Sequence, residues 1–485
     1  MSAFVPRWQL RARFASALAE MYGREVPAYN TLVDVSHQVN REVLDRRDAN
    51  RSAKDAPRDR SLVGDVDRVS SERHGAIRVG SPEEMRQVAK LFSVFGMYPV
   101  GFYDLREASA KSVPVIATCF RPIETHELDR HPFRVFTSML VTDDRRFFDE
   151  DTQDAVERFI ADRKLFGADL LAWVDVAEQQ GGLTEEQAGA FVGAACRAFE
   201  LADRPILLPW YERLKAISSV AADIGAEHGT HINHLTPRVL DIDALYERME
   251  QHGISMIDQI QGPPRWDGPF VLLRQTSFRA LDEPRRLIDG DGQEVSGHLR
   301  VRFGEVEARG VALTPAGREL YDELVEETER RLAQSPERTY QDVARELFED
   351  RFPATYRELA ERRLAYFRFR PTEAALRVGP LDLEDGTVDP IELLRAGHLE
   401  AEPIVYEDFL PKSAAGIFQS NLSGDGSRDA GRAGKRHDGL SLSKIVGRQI
   451  LDPYTLYASQ EKASITEALA LIGYGPETPA LRRAG

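Results

Sequence analysis

Residues able to hold a metal ion and an anionic ligand recur at two places in the 485-residue chain. His74-Gly-Ala-Ile-Arg78-Val-Gly-Ser81 and His234-Leu-Thr-Pro-Arg238-Val-Leu-Asp241 share the pattern H-x-x-x-R-V-x-[SD]. In an extended segment, residues four apart face the same side. His74 and Arg78 therefore put a metal ligand and a cation on one strand face. His234 and Arg238 repeat the arrangement, with Pro237 as a point where the alternation can break. The best carboxylates lie in Arg300-Val-Arg-Phe-Gly-Glu305-Val-Glu307-Ala-Arg309, where a strand aligns Glu305, Glu307 and Arg309. An inward carboxylate on a strand is costly to bury unless it is paired or metal-bound. Two imidazoles with one such carboxylate make a divalent-metal donor set that leaves positions for exchangeable ligands. Alternation does not choose Glu305 over Glu307, and Glu307 with Arg309 also reads as an ion-paired continuation of the strand. His126, His131, His228, His231 and His298 fall outside the repeated pattern and read as hydrogen-bonded structural residues.

The elements that must position these groups follow from capping and periodicity. Ser81-Pro-Glu-Glu84 is a helix start, with a hydroxyl N-cap, Pro at the first position and a capping-box Glu at the third. Asp241 caps a second helix carrying Leu245 and Met249. After the first helix come β-rich runs at 98–103, 113–121 and 133–141; after the second come 254–260, 270–278 and 298–307. Both halves read β-α-β-β-β. The predicted organisation is an N-terminal helical region and connector at 1–69, a first repeat at 70–145, a helical insertion at 146–229, a second repeat at 230–312 and a helical region at 313–485. Within the last, residues 404–421 are aromatic and apolar without helical spacing and are predicted to return to the core. The Gly-, Ser-, Asp- and Arg-rich stretch 423–439 reads as a surface loop.

Composition bounds the function. With 42% hydrophobic residues the chain can bury a large core, and its length suits two to four domain-sized units. A net charge of −16, with no dense basic stripe, argues against nucleic acid and for a small-molecule partner. Cys119 and Cys196 are too few for a disulfide framework and read as buried structural thiols. No apolar run reaches membrane-spanning length. The N-terminus lacks the apolar core of a secretory signal, and Leu10, Phe14, Leu18 and Met21 make a helical stripe there. A cytoplasmic location is expected. The pattern does not give an oligomeric state.

Longer blocks carry a resemblance. Duplicated β-α-β-β-β units with ligands on their strands resemble the vicinal oxygen chelate superfamily. More closely, HGAIRVG at 74–80, HINHLTPRVLDID at 231–243, LLRQTSF at 272–278, RFGEVEARGVALTPAGR at 302–318 and YEDFLPKSAAGIFQSN at 406–421 resemble the 2-oxoadipate dioxygenase/decarboxylase family, the 2-hydroxyglutarate synthases of lysine breakdown. The likeness runs from Phe14 to about residue 467. It implies an α+β fold in which two repeats form a curved central sheet around a metal. It assigns Fe(II) to His74, His234 and Glu305, substrate binding to Arg78 and to the segment holding Lys412 and Ser413, and contacts with the substrate to His74 and His234. Lys412 stands where the family has an apolar residue, and stretch 423–439 has no match in the family pattern.

The implied reaction is oxidative decarboxylation of 2-oxoadipate, a small 2-oxo diacid, with O2. CO2 leaves and the remaining five-carbon acid is hydroxylated to 2-hydroxyglutarate. Two other readings use the same residues. A zinc isomerase or hydrolase of the vicinal oxygen chelate type also uses His and Glu ligands with an open position, and a non-catalytic small-molecule binding protein can sit on a catalytic-looking fold.

Overall fold

A computed structural model describes residues 4–49, 69, 71–107, 113–300, 302–380, 388–411 and 434–474. The two histidine segments meet at its centre. In the first half, β1 (Arg73–Val79), β2 (Tyr98–Asp104), β3 (Val115–Arg121) and β4 (Arg134–Leu140) lie in the order β2-β3-β4-β1. β1 runs parallel to β4, and the other pairs are antiparallel. β5 (Ile206–Leu207) lies within the helical insertion, three helices before it and two after, and the second histidine segment then forms β6 (His234–Pro237). β6 pairs antiparallel with β1, setting His234 opposite Ala76 and Thr236 opposite His74.

Beyond β6 the partner order of the first half recurs. After β7 (Leu273–Ser277) come β8 (Glu283–Ile288) and β9 (Glu294–Leu299), then β10 (Glu305–Arg309). β10 pairs antiparallel with β7, Glu307 opposite Gln275. It meets the end of β6 through a parallel bridge between Arg238 and Glu307. Val239 N–H donates to Glu307 O at 2.8 Å there. On the far side of β7, Met256 and Gln261 bridge antiparallel to Phe278 and Gln275. Each half thus has a histidine strand beside a parallel neighbour, followed by two antiparallel ones.

Strand alternation sends the two faces into two cores. Ala76, Cys119 and Phe136 pack with Tyr406, Phe409 and Tyr457 from the C-terminal region. Ile77, Phe120, Val135 and Met139 pack with Phe14, Leu18, Met85 and Phe92. The apolar stripe at Leu10, Phe14, Leu18 and Met21 is buried as the spacing requires, and the first helix stops at Glu25, just before Val26 and Pro27. His74 shares the parity of Ala76, so its face is the one covered by the C-terminal region.

Several expectations need correction. The run 254–260 makes only the isolated bridge at Met256. The predicted strand at 298–307 is two strands: β9 ends at Leu299 and joins β8 and β5 in a separate sheet, while β10 begins at Glu305. Gly304 lies between them, and a Cβ there would sit 1.8 Å from the Phe278 ring, so the turn into the core requires glycine. The β8–β9 hairpin, absent from the sequence reading, turns at Asp289-Gly-Asp-Gly292, whose Gly292 has φ +76°. Ser81 caps its helix as predicted, accepting from Glu84 N–H at 3.3 Å. Glu84, however, does not close the box on Ser81; its Oε2 accepts from Gly80 N–H and its carboxylate binds Arg163. The region after 313 is not purely helical, because β11 (Phe367–Pro371) and β12 (Leu399–Pro403) form an antiparallel ladder. Most of the loop at 423–439 and of the returning segment beyond Pro411 lies outside the described residues.

Candidate metal centre

His74 on β1, His234 on β6 and Glu305 on β10 come from three strands in succession and point to one spot. All three are buried, with one donor atom from each lying within 4.8 Å of the others. His74 Nε2 is 3.3 Å from Glu305 Oε1 and His234 Nε2 is 3.3 Å from Glu305 Oε2. Donors that each lie about 2.1 Å from one ion at right-angled to tetrahedral directions are separated by about that much. Phe409 lies edge-on to His74, with centroids 5.0 Å apart, and Phe303 packs on His234 at 5.2 Å. The spot is therefore walled by aromatic rings.

Glu307 takes a different place from Glu305. Its Oε2 lies 2.9 Å from His74 Nδ1, an ion-pair contact without hydrogen-bond alignment that favours a proton on Nδ1 and leaves Nε2 facing the donor cluster. Arg309 grips the same carboxylate through two hydrogen bonds of 2.8 and 2.7 Å, and Arg134 Nη1 adds a third at 3.2 Å. Burial pushes the Glu307 carboxyl up, but Arg309, His74 and Arg134 outweigh it and hold it well below the usual range. At His74 burial favours the neutral ring, and Glu307 and Glu305 outweigh it, so its pKa rises. His234 goes the other way, driven down by burial, His74 and Arg78. Burial raises Glu305 despite His74.

The ion pairs extend beneath the centre. Arg134 also binds Glu72 and Glu407, Arg238 binds Glu72 at 2.8 Å, and Arg121 binds Asp408 at 2.9 Å. Arg309 donates to the Tyr406 and Asp408 carbonyls, and Tyr457 O–H donates to Asp408. Four arginines (121, 134, 238, 309) thus face four carboxylates (72, 307, 407, 408), a formally neutral cluster tying β3, β4, β10, the start of β1 and the end of β6 to the segment 404–411. Buried charges at this density are tolerable only when paired in this way. Sequence spacing pointed to Glu307 with Arg309, but Glu72, Glu407 and Asp408 carried no local signal.

Arg78 lies on the His74 face of β1, two inward positions further along, and its Nη1 is ion-paired with Asp223. Arg238, its counterpart in the repeat, is engaged with Glu72 instead. His231 lies beside Asp223 and Asn233 rather than in the donor cluster. Lys412 and Ser413 lie outside the described residues. A cavity of about 680 Å³ lined by Asp243, Trp266, Arg274 and Tyr340 opens on the side of β7 away from Gln275, and none of the three donors lines it. Burial drives the Cys119 thiol up to about 12, consistent with a structural role.

Two imidazoles and a carboxylate suit a divalent first-row ion such as iron or zinc. The buried His234 Nδ1 has no hydrogen-bond partner among the described residues, and the ring's Nε2 side faces Glu305. These features define a class: an α+β protein whose central sheet carries a buried two-histidine, one-carboxylate donor set.

The chain belongs to the 2-oxoadipate dioxygenase/decarboxylase family, whose model matches residues 14–421. The 2-oxoadipate dioxygenase/decarboxylase of Mycobacterium tuberculosis (strain ATCC 25618 / H37Rv) is 49% identical over 454 residues, covering 93% of this chain and 95% of the relative. That of Pseudomonas putida is 38% identical over 477 residues, covering 97% and 98%. The crystal structure of the hydroxyglutarate synthase from Pseudomonas putida in complex with 2-oxoadipate superposes with a TM-score of 0.81 at 36% identity, covering 97% of this chain and 100% of that one. No helix among the described residues is long and apolar enough to cross a membrane.

Proposed function

We propose that this chain is an Fe(II) dioxygenase that converts 2-oxoadipate and O2 into 2-hydroxyglutarate and CO2, a step suited to lysine catabolism. The observation that carries the reading is the convergence of His74, His234 and Glu305 within 4.8 Å on a buried face, in a member of the family. The fold reading that accompanies it is a pair of vicinal oxygen chelate-like units at 70–145 and 230–312, supported by the partner order that recurs on either side of the β1–β6 junction.

Bound Fe(II) would supply chelation of the 2-oxo acid through its carboxylate and ketone oxygens, and the redox partner for O2. The protein's own groups do the rest. Glu307, 2.9 Å from His74 Nδ1, favours the tautomer with its proton on that nitrogen. Arg78, on the same strand face, receives the far carboxylate of the diacid in a charge-assisted pair. Phe409 and Phe303 keep water from the donor cluster. A dianion and O2 become a dianion and CO2, so no net proton is taken up or released. The overall balance asks no net proton of the site, where Glu305 belongs to the triad and Glu307 is committed to arginines.

Anaerobic loading with Fe(II) followed by an oxygen-electrode screen of C4 to C7 2-oxo diacids tests the reading. Oxygen uptake should be fastest with the C6 diacid and absent after loading with Zn(II). Fully iron-loaded protein that consumes no oxygen with any of them would overturn it.

A further inference from the structure

The interest of Arg78 lies in what holds it, an inference that rests on its proposed role as receiver of the far carboxylate. Its partner Asp223 belongs to neither half of the central sheet. It comes from the inserted helix Ser219–Ala226, and both side chains are about 3% exposed. Asp223 is itself fixed from behind. Asn233 Nδ2 donates to its Oδ2 at 3.2 Å, and His231 Nε2 lies 3.4 Å from its Oδ1. Asn233 N–H donates to Ala76 O at 2.9 Å, between His74 and Arg78 on β1. Thr230 O–H donates to the Arg78 carbonyl at 2.7 Å. The segment that ends in the ligand His234 therefore also builds the seat of the arginine.

The charges assign the roles. Burial, which outweighs Asp223, drives His231 down to about 3, whereas a guanidinium keeps its charge; His231 and Arg78 both act to lower the Asp223 carboxyl. Arg78 is then the formal partner of a carboxylate that would otherwise be costly to bury. A guanidinium is planar, with its donors in a fixed fork. A carboxylate anchored on its Nη1 side sets the plane, and a second carboxylate can approach a different edge of the same cation. The two anions then sit on either side of a positive charge, which offsets their mutual repulsion.

We propose that Asp223 is a positioning residue that orients Arg78, so that preference for a diacid is set by the Arg78–Asp223 pair rather than by Arg78 alone. The insertion between the two halves thereby contributes to substrate choice.

Anaerobic calorimetry on iron-loaded protein tests this through binding rather than turnover, using 2-oxoadipate and 2-oxohexanoate, which has a methyl group in place of the far carboxylate. Asp223→Asn keeps the shape and removes the charge. It should weaken 2-oxoadipate at least tenfold and 2-oxohexanoate less than threefold, with iron content unchanged. Asp223→Glu should recover part of the loss. Added to Arg78→Gln, Asp223→Asn should cost nothing further, the signature of a residue that acts through another. Unchanged or tighter 2-oxoadipate binding in Asp223→Asn, or an equal loss for both ligands, would overturn the proposal. If Arg78→Gln itself left both affinities unchanged, the reading of Arg78 would fail instead, and that result is separately visible. Should Asp223→Asn fold poorly, Asp223→Glu carries the same comparison between the two ligands.

Discussion

His74 touches two glutamates from one strand, Glu305 through Nε2 at 3.3 Å and Glu307 through Nδ1 at 2.9 Å. The two-residue spacing on β10 turns one carboxylate into a donor of the cluster and the other into the group that orients a donor. Glu307→Gln keeps the volume but removes the charge that lies beside Nδ1. Metal affinity should fall about 10- to 100-fold, the usual loss when such a partner is removed. Competition with a colorimetric chelator reads it. Unaltered affinity would show that His74 needs no such anchor.

Arg78→Lys replaces a planar fork by a point charge. It should cost about 1–3 kcal/mol in kcat/KM, the range for a charge-assisted hydrogen bond, and Arg78→Ala should cost more. Iron content should be unaffected, since Arg78 is not among the converging donors. Steady-state kinetics on both variants decides, and wild-type kcat/KM in each would remove Arg78 from substrate binding.

Glu227 makes a pH-dependent contribution to stability. It is 1% exposed, and its Oε1 has no hydrogen-bond partner among the described residues, Arg285 Nε lying 3.7 Å away. Burial, with Asp223 nearby, pushes its carboxyl from 4.5 up to about 7. Between those values the folded state keeps a proton that the unfolded state has lost, so stability is present below pH 4.5 and lost as pH rises through 7. A shift of this size corresponds to about 3 kcal/mol. Glu227→Gln should therefore melt higher than wild type at pH 8 and match it near pH 4.5. A melting difference independent of pH would contradict the assignment.

The cysteines should be inert in the folded protein. Cys119 is fully buried with its thiol driven up to about 12, and burial also raises Cys196, to about 11. The thiolate is the reactive form. Thiol titration should find neither group in native protein and both after denaturation; rapid native labelling of Cys119 would show that its pocket opens.

The repeated histidine motif was legible because its spacing, capping residues and flanking strands agree. The choice between Glu305 and Glu307 was not, since period-two alternation puts both on one face and only the register of β10 against β6 and β7 separates them. The hairpin β8–β9 had its Asp-Gly signal but was masked by reading 298–307 as one run. Asp223, Glu72, Glu407 and Asp408 escaped for a different reason. Each finds its arginine far away in sequence, Asp223 at a separation of 145 residues, and no local pattern encodes such a pairing. The assignments to Lys412 and Ser413 fall outside the described residues.

The fate of molecular oxygen tests the account most directly. One substrate molecule is proposed to serve both as the 2-oxo acid and as the carbon that is hydroxylated. Iron-loaded protein given 2-oxoadipate under 18O2, with products weighed by mass spectrometry, should release one CO2 per O2. It should yield 2-hydroxyglutarate with one labelled oxygen in the new carboxylate and the other in the hydroxyl, less any exchange with water, and His234→Ala should abolish both. Glutarate as the sole product, or an absolute need for added 2-oxoglutarate, would contradict the account even with iron bound at His74, His234 and Glu305.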